Sequence, residues 1–291
     1  MADLGYAMID RTHTLCPGLF RSLSNDDRKK RLDLRYKVSE DQFIEFKGPY
    51  MLGALELRVL QAIVAMAGPD GKLLSNDATA SILGRELMRE LFTPDAKLRR
   101  SKEKPHSLMV SGSLRGLLSE LGMAVSGANI RTMRKSIETL FMVTVFLEKD
   151  GVRAGSRLLG SYASDEATGD LCVAINPLLA GAVLGHRQYT RIDLNEVRAL
   201  KTDAAHLLHQ RLCAWIDAGK VRKVSMEYLM SYAWPDPSSV ESTIKKRKSA
   251  VRKALREFEA IGWQIVEKKG IFSISRPACE ALGCDKPVSF P

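Results

Sequence analysis

Apolar residues between positions 240 and 258 fall at helical spacing: Val240, Ile244, Val251, Leu255 and Phe258 line one side of a helix. Turned through half a circle, the same helix shows Ser242, Lys245, Lys246, Ser249, Arg252, Lys253 and Arg256, a face of hydroxyls and positive charge alone. Pro235 and Pro237 forbid an earlier start, Ser238 or Ser239 is the expected cap, and Gly262 marks the end. The period then changes to two. Residues 263–267 and 271–276 alternate as strands, and Lys268-Lys269-Gly270 is expected to turn between them. Upstream, residues 225–232 form a short capped helix. Short helix, long helix and basic-tipped hairpin in that order predict a helix-turn-helix followed by a wing.

The same theme occurs earlier in the chain. Leu114, Leu117, Leu118 and Leu121 make a short amphipathic helix ending at Gly122, and Ser126-Gly127-Ala128-Asn129 turns into a second one carrying Ile130, Met133, Ile137 and Leu140. Its far face shows Arg131, Arg134 and Lys135. Residues 141–148 are expected as a strand, 149–151 as a turn, and 152–162 as a return strand that carries Arg153 and Arg157. Setting residues 131–140 against 252–261 pairs basic with basic and apolar with apolar at most positions. The slight identity supports a repeated architecture more than a recent duplication.

These patterns predict an α+β chain with two tandem winged-helix domains. The expected divisions are an N-terminal arm and small hairpin over 1–50, an N-terminal winged helix over 51–186, a C-terminal DNA-binding winged helix over 187–277, and a tail over 278–291. Within the arm, residues 32–38 are expected to pair with 43–46. Leu55, Val59, Ile63 and Met66 predict a packing helix stopped by Gly68-Pro69-Asp70-Gly71. A further helix over 78–92 and a charged loop over 94–105 follow. Asn176-Pro177 should begin a short apolar helix to Val183, Gly185-His186-Arg187 should join the two domains, and residues 189–194 should be extended. Residues 195–217 should be mainly helical, turning Val197, Leu200, Ala204, Leu207, Leu208, Leu212 and Trp215 inward.

Composition adds a partner class. The 291 residues carry a net charge of +10 and a pI near 9.4, which makes a polyanion, and nucleic acid before membrane, the leading partner. No apolar run approaches the roughly 20 residues needed to span a bilayer, so a cytoplasmic protein is expected. Five cysteines without a Cys-x-x-Cys pair point to free thiols, with Cys172 and Cys213 as small core residues and Cys279 and Cys284 in the tail. No cofactor and no metal are expected: His206 and His209 share a helix, but no acidic or thiol partner follows at metal-site spacing. Residues 68–72 lack both the glycine spacing and the hydroxyl of a phosphate loop, which argues against an ATPase or helicase. No nuclease constellation appears, and a non-enzyme is expected. The cluster from Asp26 to Arg31 is expected as a solvated loop.

The strings Leu158-Leu159-Gly160-Ser161-Tyr162-Ala163-Ser164-Asp165-Glu166-Ala167, Asn176-Pro177-Leu178 and Leu207-Leu208-His209-Gln210-Arg211-Leu212-Cys213-Ala214-Trp215-Ile216-Asp217 resemble the RepC replication initiator family of IncQ-type broad-host-range plasmids. The likeness runs from about Cys16-Pro17-Gly18-Leu19-Phe20 to Arg276-Pro277, while residues 73–104 and both tails depart from it. It implies binding to direct repeats (iterons) in double-stranded plasmid origin DNA, opening of nearby duplex, and a plasmid-encoded helicase and primase as the next partners, with self-association as a further expectation. It also implies tandem winged helices. Candidate DNA contacts are Ser242, Lys245, Lys246, Ser249, Arg252, Lys253 and Arg256 on the long helix, Lys268 and Lys269 on the wing, and Arg131, Arg134, Lys135 and Arg153 in the N-terminal unit. Lys245, Lys246 and Arg252, with Ser242 and Ser249, are the base-reading candidates. A winged-helix transcriptional repressor would show the same periodicity and charge; the family resemblance alone favours an initiator.

Overall fold

Two strands with one sequence pattern open the two halves of the chain: Tyr6-x-x-Ile9-Asp10 and Tyr189-x-x-Ile192-Asp193. In the computed structural model, which describes residues 5–70, 72–74 and 107–278, these are β1 (Tyr6–Asp10) and β10 (Tyr189–Asp193). They pair antiparallel, Tyr6 opposite Asp193 and Asp10 opposite Tyr189, so an approximate two-fold relates the halves at this ribbon. Each strand ends in an aspartate that caps a helix. Asp10 accepts from Thr12 N at 3.0 Å to start α1 (Arg11–Leu15), and Asp193 accepts from Asn195 N at 2.7 Å to start α6 (Leu194–Ala199).

The N-terminal half then builds α2 (Ala54–Asp70), β5 (Ser107–Ser113), α3 (Leu114–Glu120) and α4 (Gly127–Phe141), and closes with β8 (Leu159–Ser164) and β9 (Asp170–Ile175). The C-terminal half repeats the order with α7 (Asp203–Trp215), β11 (Val221–Ser225), α8 (Met226–Ala233), α9 (Glu241–Ala260), β12 (Gln264–Lys268) and β13 (Ile271–Ser275). In both, the strand before the helix pair lies beside the last strand of the closing hairpin. The sheet orders are β4-β5-β9-β8, with β4 at Lys72–Leu74, and β11-β13-β12. Serine side chains cap three of the four paired helices. Ser113 accepts from Gly116 N at 3.0 Å, Ser126 from Asn129 N at 3.2 Å and Ser225 from Tyr228 N at 3.4 Å. Asn176 caps α5 (Pro177–Val183), with proline in its first turn.

Two expectations need correction. The hairpin expected over residues 141–162 is present as β6 (Thr144–Lys149) and β7 (Val152–Arg157), but it does not close the N-terminal repeat. It extends the hairpin β2 (Leu32–Ser39) and β3 (Gln42–Gly48) into a separate sheet of order β2-β3-β6-β7. The return strand breaks at Leu158, which is fully buried and donates its N–H to Val143 O at 2.8 Å, so β8 leaves for the other sheet. The polar turn at residues 165–169 is therefore the tip of the closing hairpin. The second is a matter of bounds: α2 runs on through Gly68 and Pro69 and ends at Asp70, inside the expected stop at 68–71. Ala62, Ile63, Val64, Ala65 and Ala67 are all buried and anchor the helix up to that stop.

One continuous core joins the halves across the expected junction at 185–187. Gln61 of α2 donates to Gln210 of α7 at 3.2 Å, and Arg187 Nε binds Asp10 Oδ2 at 2.9 Å. Residues 75–106, with the helix and loop expected there, and the tail cysteines lie outside the described residues. Among the described residues no helix is long and apolar enough to cross a membrane.

Candidate nucleic-acid interface

α9 is held by its C-terminal half. Val251, Ala254, Leu255 and Phe258 are buried, whereas no residue from Glu241 to Ala250 is, and Val240 is 56% exposed. The apolar stripe read from sequence thus anchors three turns and leaves the first two and a half projecting. The start also differs from expectation. Neither Ser238 nor Ser239 caps α9; Val240 occupies the cap position without a side-chain bond, and Ser238 Oγ accepts instead from Val240 N at 3.2 Å. The turn before the helix is fixed by other means. Arg247 donates to Asp236 O at 2.8 Å and lies over the Trp234 ring at 5.7 Å, and Arg21 pairs with the Asp236 carboxylate.

All seven predicted polar residues of α9 are exposed: Ser242, Lys245, Lys246, Ser249, Arg252, Lys253 and Arg256. Arg252 also pairs with Glu267 of β12 at 3.0 Å, which ties helix to hairpin; a surface pair of this kind contributes at most about 1 kcal/mol. At the hairpin tip Lys268 and Lys269 are exposed, and Lys269 (φ 50°) with Gly270 (φ 76°) makes the two-residue left-handed turn that a twisted hairpin prefers. Helix α9 and the hairpin tip thus both expose cations.

Under α9 sits a buried polar cluster that the sequence spacing did not reveal. His209 Nε2 lies 2.6 Å from Glu196 Oε2 and 3.5 Å from Cys213 Sγ, and Trp263 Nε1 donates to Glu196 Oε1 at 3.1 Å. Trp263 packs on Phe258 at 5.5 Å, so the cluster braces the junction of α9 and β12. Burial by itself would push the His209 imidazolium down, yet Cys213 and the Glu196 carboxylate raise it to about 10. Neighbouring His206 is driven to about 3, by burial and then by Arg58. Among the described residues Glu196, His209 and Cys213 are the group that could offer a metal three ligand atoms, within 4.8 Å of one another. Sequence reasoning considered His206 and His209 and missed Glu196 because it comes from another helix, thirteen residues upstream of His209.

α4 presents a smaller surface. Met133, Ser136, Ile137, Thr139 and Leu140 are buried, all in its last nine residues, and Arg131 and Lys135 are exposed at i and i+4. Arg134 is half-buried and paired with Glu166 at the β8–β9 tip. A buried carboxylate lies beneath this helix too. Glu56 accepts from Ser136 Oγ at 2.9 Å and from Gly53 N at 2.9 Å. Arg153 stands apart from both helix faces: on β7 it binds Glu45 at 2.6 Å and Glu148 at 3.5 Å, outside the β5-β9-β8 sheet.

Comparison with known proteins places this arrangement. The family model for Replication protein C (RepC) matches residues 1–278. Among curated proteins none matches. Two crystal structures of domains 2 and 3 of RctB share the fold: one, of selenomethionine derivatives, has a TM-score of 0.57 at 11% identity, covering 91% of this chain and 98% of that one. The other has a TM-score of 0.58 at 10% identity, covering 94% and 98%. At that identity the likeness concerns the fold alone, an α+β arrangement. With the family match spanning nearly the whole sequence, the chain belongs to the Replication protein C (RepC) family and is a replication initiator.

Proposed function

We propose that the two repeated units are winged helices and that the chain binds direct repeats in double-stranded plasmid origin DNA, with α9 as the base-reading element. The observation that carries this reading is the projecting N-terminal half of α9: its first ten residues include no buried side chain and carry Ser242, Lys245, Lys246 and Ser249 outward. A helix inserted in the major groove needs that clearance from its own domain. Lys253, Arg256, Lys268 and Lys269 then reach flanking phosphates, which supply affinity without sequence information. Arg131 and Lys135 of α4 make weaker backbone contacts from the other unit. Arg134, tied to Glu166, is a contact of lesser weight, and Arg153, bound to Glu45 and Glu148 on a separate sheet, is left out of the duplex surface.

In this scheme the protein is not catalytic. Binding to several repeats opens neighbouring duplex, on which a plasmid-encoded helicase and primase act, and copies of the chain associate along the repeats. The test is footprinting on origin DNA combined with permanganate sensitivity of an adjacent A·T-rich segment. Protection of the repeats with new permanganate reactivity is the expected result. Protection without reactivity would leave a DNA-binding repressor, and no protection would remove the reading.

A further inference from the structure

The sheet β2-β3-β6-β7 has two unlike faces. Leu32, Ile44, Phe46 and Val145 on the inner face are buried in the core. On the outer face, cross-strand register sets Arg35, Glu45, Phe146 and Gly155 in one row and Lys37, Phe43, Glu148 and Arg153 in the next. A third row carries Asp33, Lys47 and Arg157. Three arginines sit over three rings: Arg35 over Phe43 at 4.4 Å, Arg153 over Phe146 at 4.6 Å and Arg157 over Phe141 at 4.3 Å.

Glu45 organises this surface. It is only 6% exposed and binds Arg153 at 2.6 Å and Arg35 at 3.2 Å, so its charge is spent beneath the guanidinium groups and fixes their orientation. Gly155 matters for the same reason. A Cβ there would come within 3.0 Å of the Phe146 ring, and its absence lets that ring lie across β7. A ladder of arginines and glutamates would hold the sheet without half-exposed phenyl rings, and nothing in pairing the strands calls for a glycine under one of them.

We propose that the outer face of this four-stranded sheet, centred on Phe43 and Phe146, binds single-stranded DNA. Rings and guanidinium planes are stacking platforms for unpaired bases, and exposed Lys37, Lys47 and Arg157 flank them on the same face, the lysines in surface pairs with Glu40 and Asp33 that a phosphate can displace. A duplex does not fit here. Its bases present edges in grooves that take a helix or a two-stranded ribbon, whereas a flat sheet takes bases by their faces. The choice of ligand rests on the initiator reading above, since opened origin DNA supplies the strand. The sheet is distinct from α9 and its wing, so the strand and the duplex occupy different elements of the chain.

The experiment uses the full chain, a fluorescein-labelled oligothymidylate for the single strand and origin duplex for the helix surface. In the double variant Phe43→Leu, Phe146→Leu, anisotropy should show oligothymidylate affinity reduced roughly tenfold for each base that no longer stacks, with duplex affinity and melting temperature unchanged. Arg157→Ala should lower the salt dependence of strand binding by about 0.7 for the phosphate it no longer neutralises. Photocrosslinking of 5-iododeoxyuridine oligonucleotide to the unaltered protein should mark a peptide containing Phe43 or Phe146, which decides the matter even if the leucine variant fails to fold. Unchanged strand affinity in a folded leucine variant, crosslinks confined to α9, or an unaltered protein that binds duplex but no oligothymidylate would each overturn the proposal. Strand binding at the sheet without any preference for origin duplex would instead remove the repeat-binding reading and leave this one standing.

Discussion

α9 and α4 occupy the same place in two repeats, yet the chain equips them differently. α9 is twenty residues long and anchored by its second half, whereas α4 is fifteen and packs its buried residues from Met133 to Leu140. On the exposed cationic face of α9, Arg252 is tied to Glu267; on α4 one of three basic residues is turned to Glu166. Each helix stands over a buried glutamate near a helix start. Glu196 is held by His209 and Trp263, and Glu56 by Ser136 and the Gly53 amide. One framework thus holds two helices of unlike length by their C-terminal parts, and the difference lies in how many residues precede the first buried one, ten on α9 and six on α4.

The largest expected effect breaks the brace under α9. His209→Ala leaves the Glu196 charge buried without its partner and should cost roughly 3–5 kcal/mol in urea denaturation. The unaltered protein tests the same pair by pH. The folded imidazolium titrates at about 10, above its ordinary value of 6.5, so its contribution is complete below 6.5 and declines as pH rises toward 10. A His209→Ala variant with unchanged stability at pH 6 would show that the pair is not a brace.

Next is the assignment of reading to α9. Lys246→Ala should lose roughly 1–3 kcal/mol of affinity on the native repeat and much less on a repeat altered at the contacted base, while Arg256→Ala should weaken both about equally. Equal losses on all duplexes for Lys246→Ala at fixed salt would place that lysine on phosphate.

The brace under α4 is the milder counterpart. Ser136→Ala removes a neutral donor, and Glu56 keeps the Gly53 amide, so the loss should be about 1 kcal/mol. A loss as large as that of His209→Ala would erase the contrast between the two units. The smallest effect concerns Arg131 and Lys135. Changing both to alanine should reduce the salt slope of duplex binding by roughly 0.9 for each phosphate left without its cation and lower affinity for every sequence alike, without moving the melting temperature.

These measurements call for the intact chain. A fragment starting at Gln188 would keep the helix pair and hairpin but strip β10 of its partner β1 and remove the bond between Arg211 and Leu15 O. Loss of repeat binding by such a fragment would report on folding as much as on recognition.

What is local was legible in the order of the residues. Serine, asparagine and glycine signals place α3, α5 and α8 within a residue or so, because caps and left-handed turns are satisfied by neighbours in the chain, while α4 begins within the residues 126–129 expected as a turn. The exposed face of α9 was legible for the same reason: 3.6-residue periodicity separates Val251 and Leu255 from Lys245 and Arg256 whatever they pack against. Where each hairpin goes became clear only in three dimensions. β6–β7 and β8–β9 both alternate, and nothing local tells the first to extend β2–β3 and the second to join β5, since a strand's partner is chosen by which buried face it completes. Folding likewise settles where α9 leaves the core, how Glu196 meets His209 across two helices, and that Phe43 and Phe146 stand on one face, because each joins residues that the chain keeps apart.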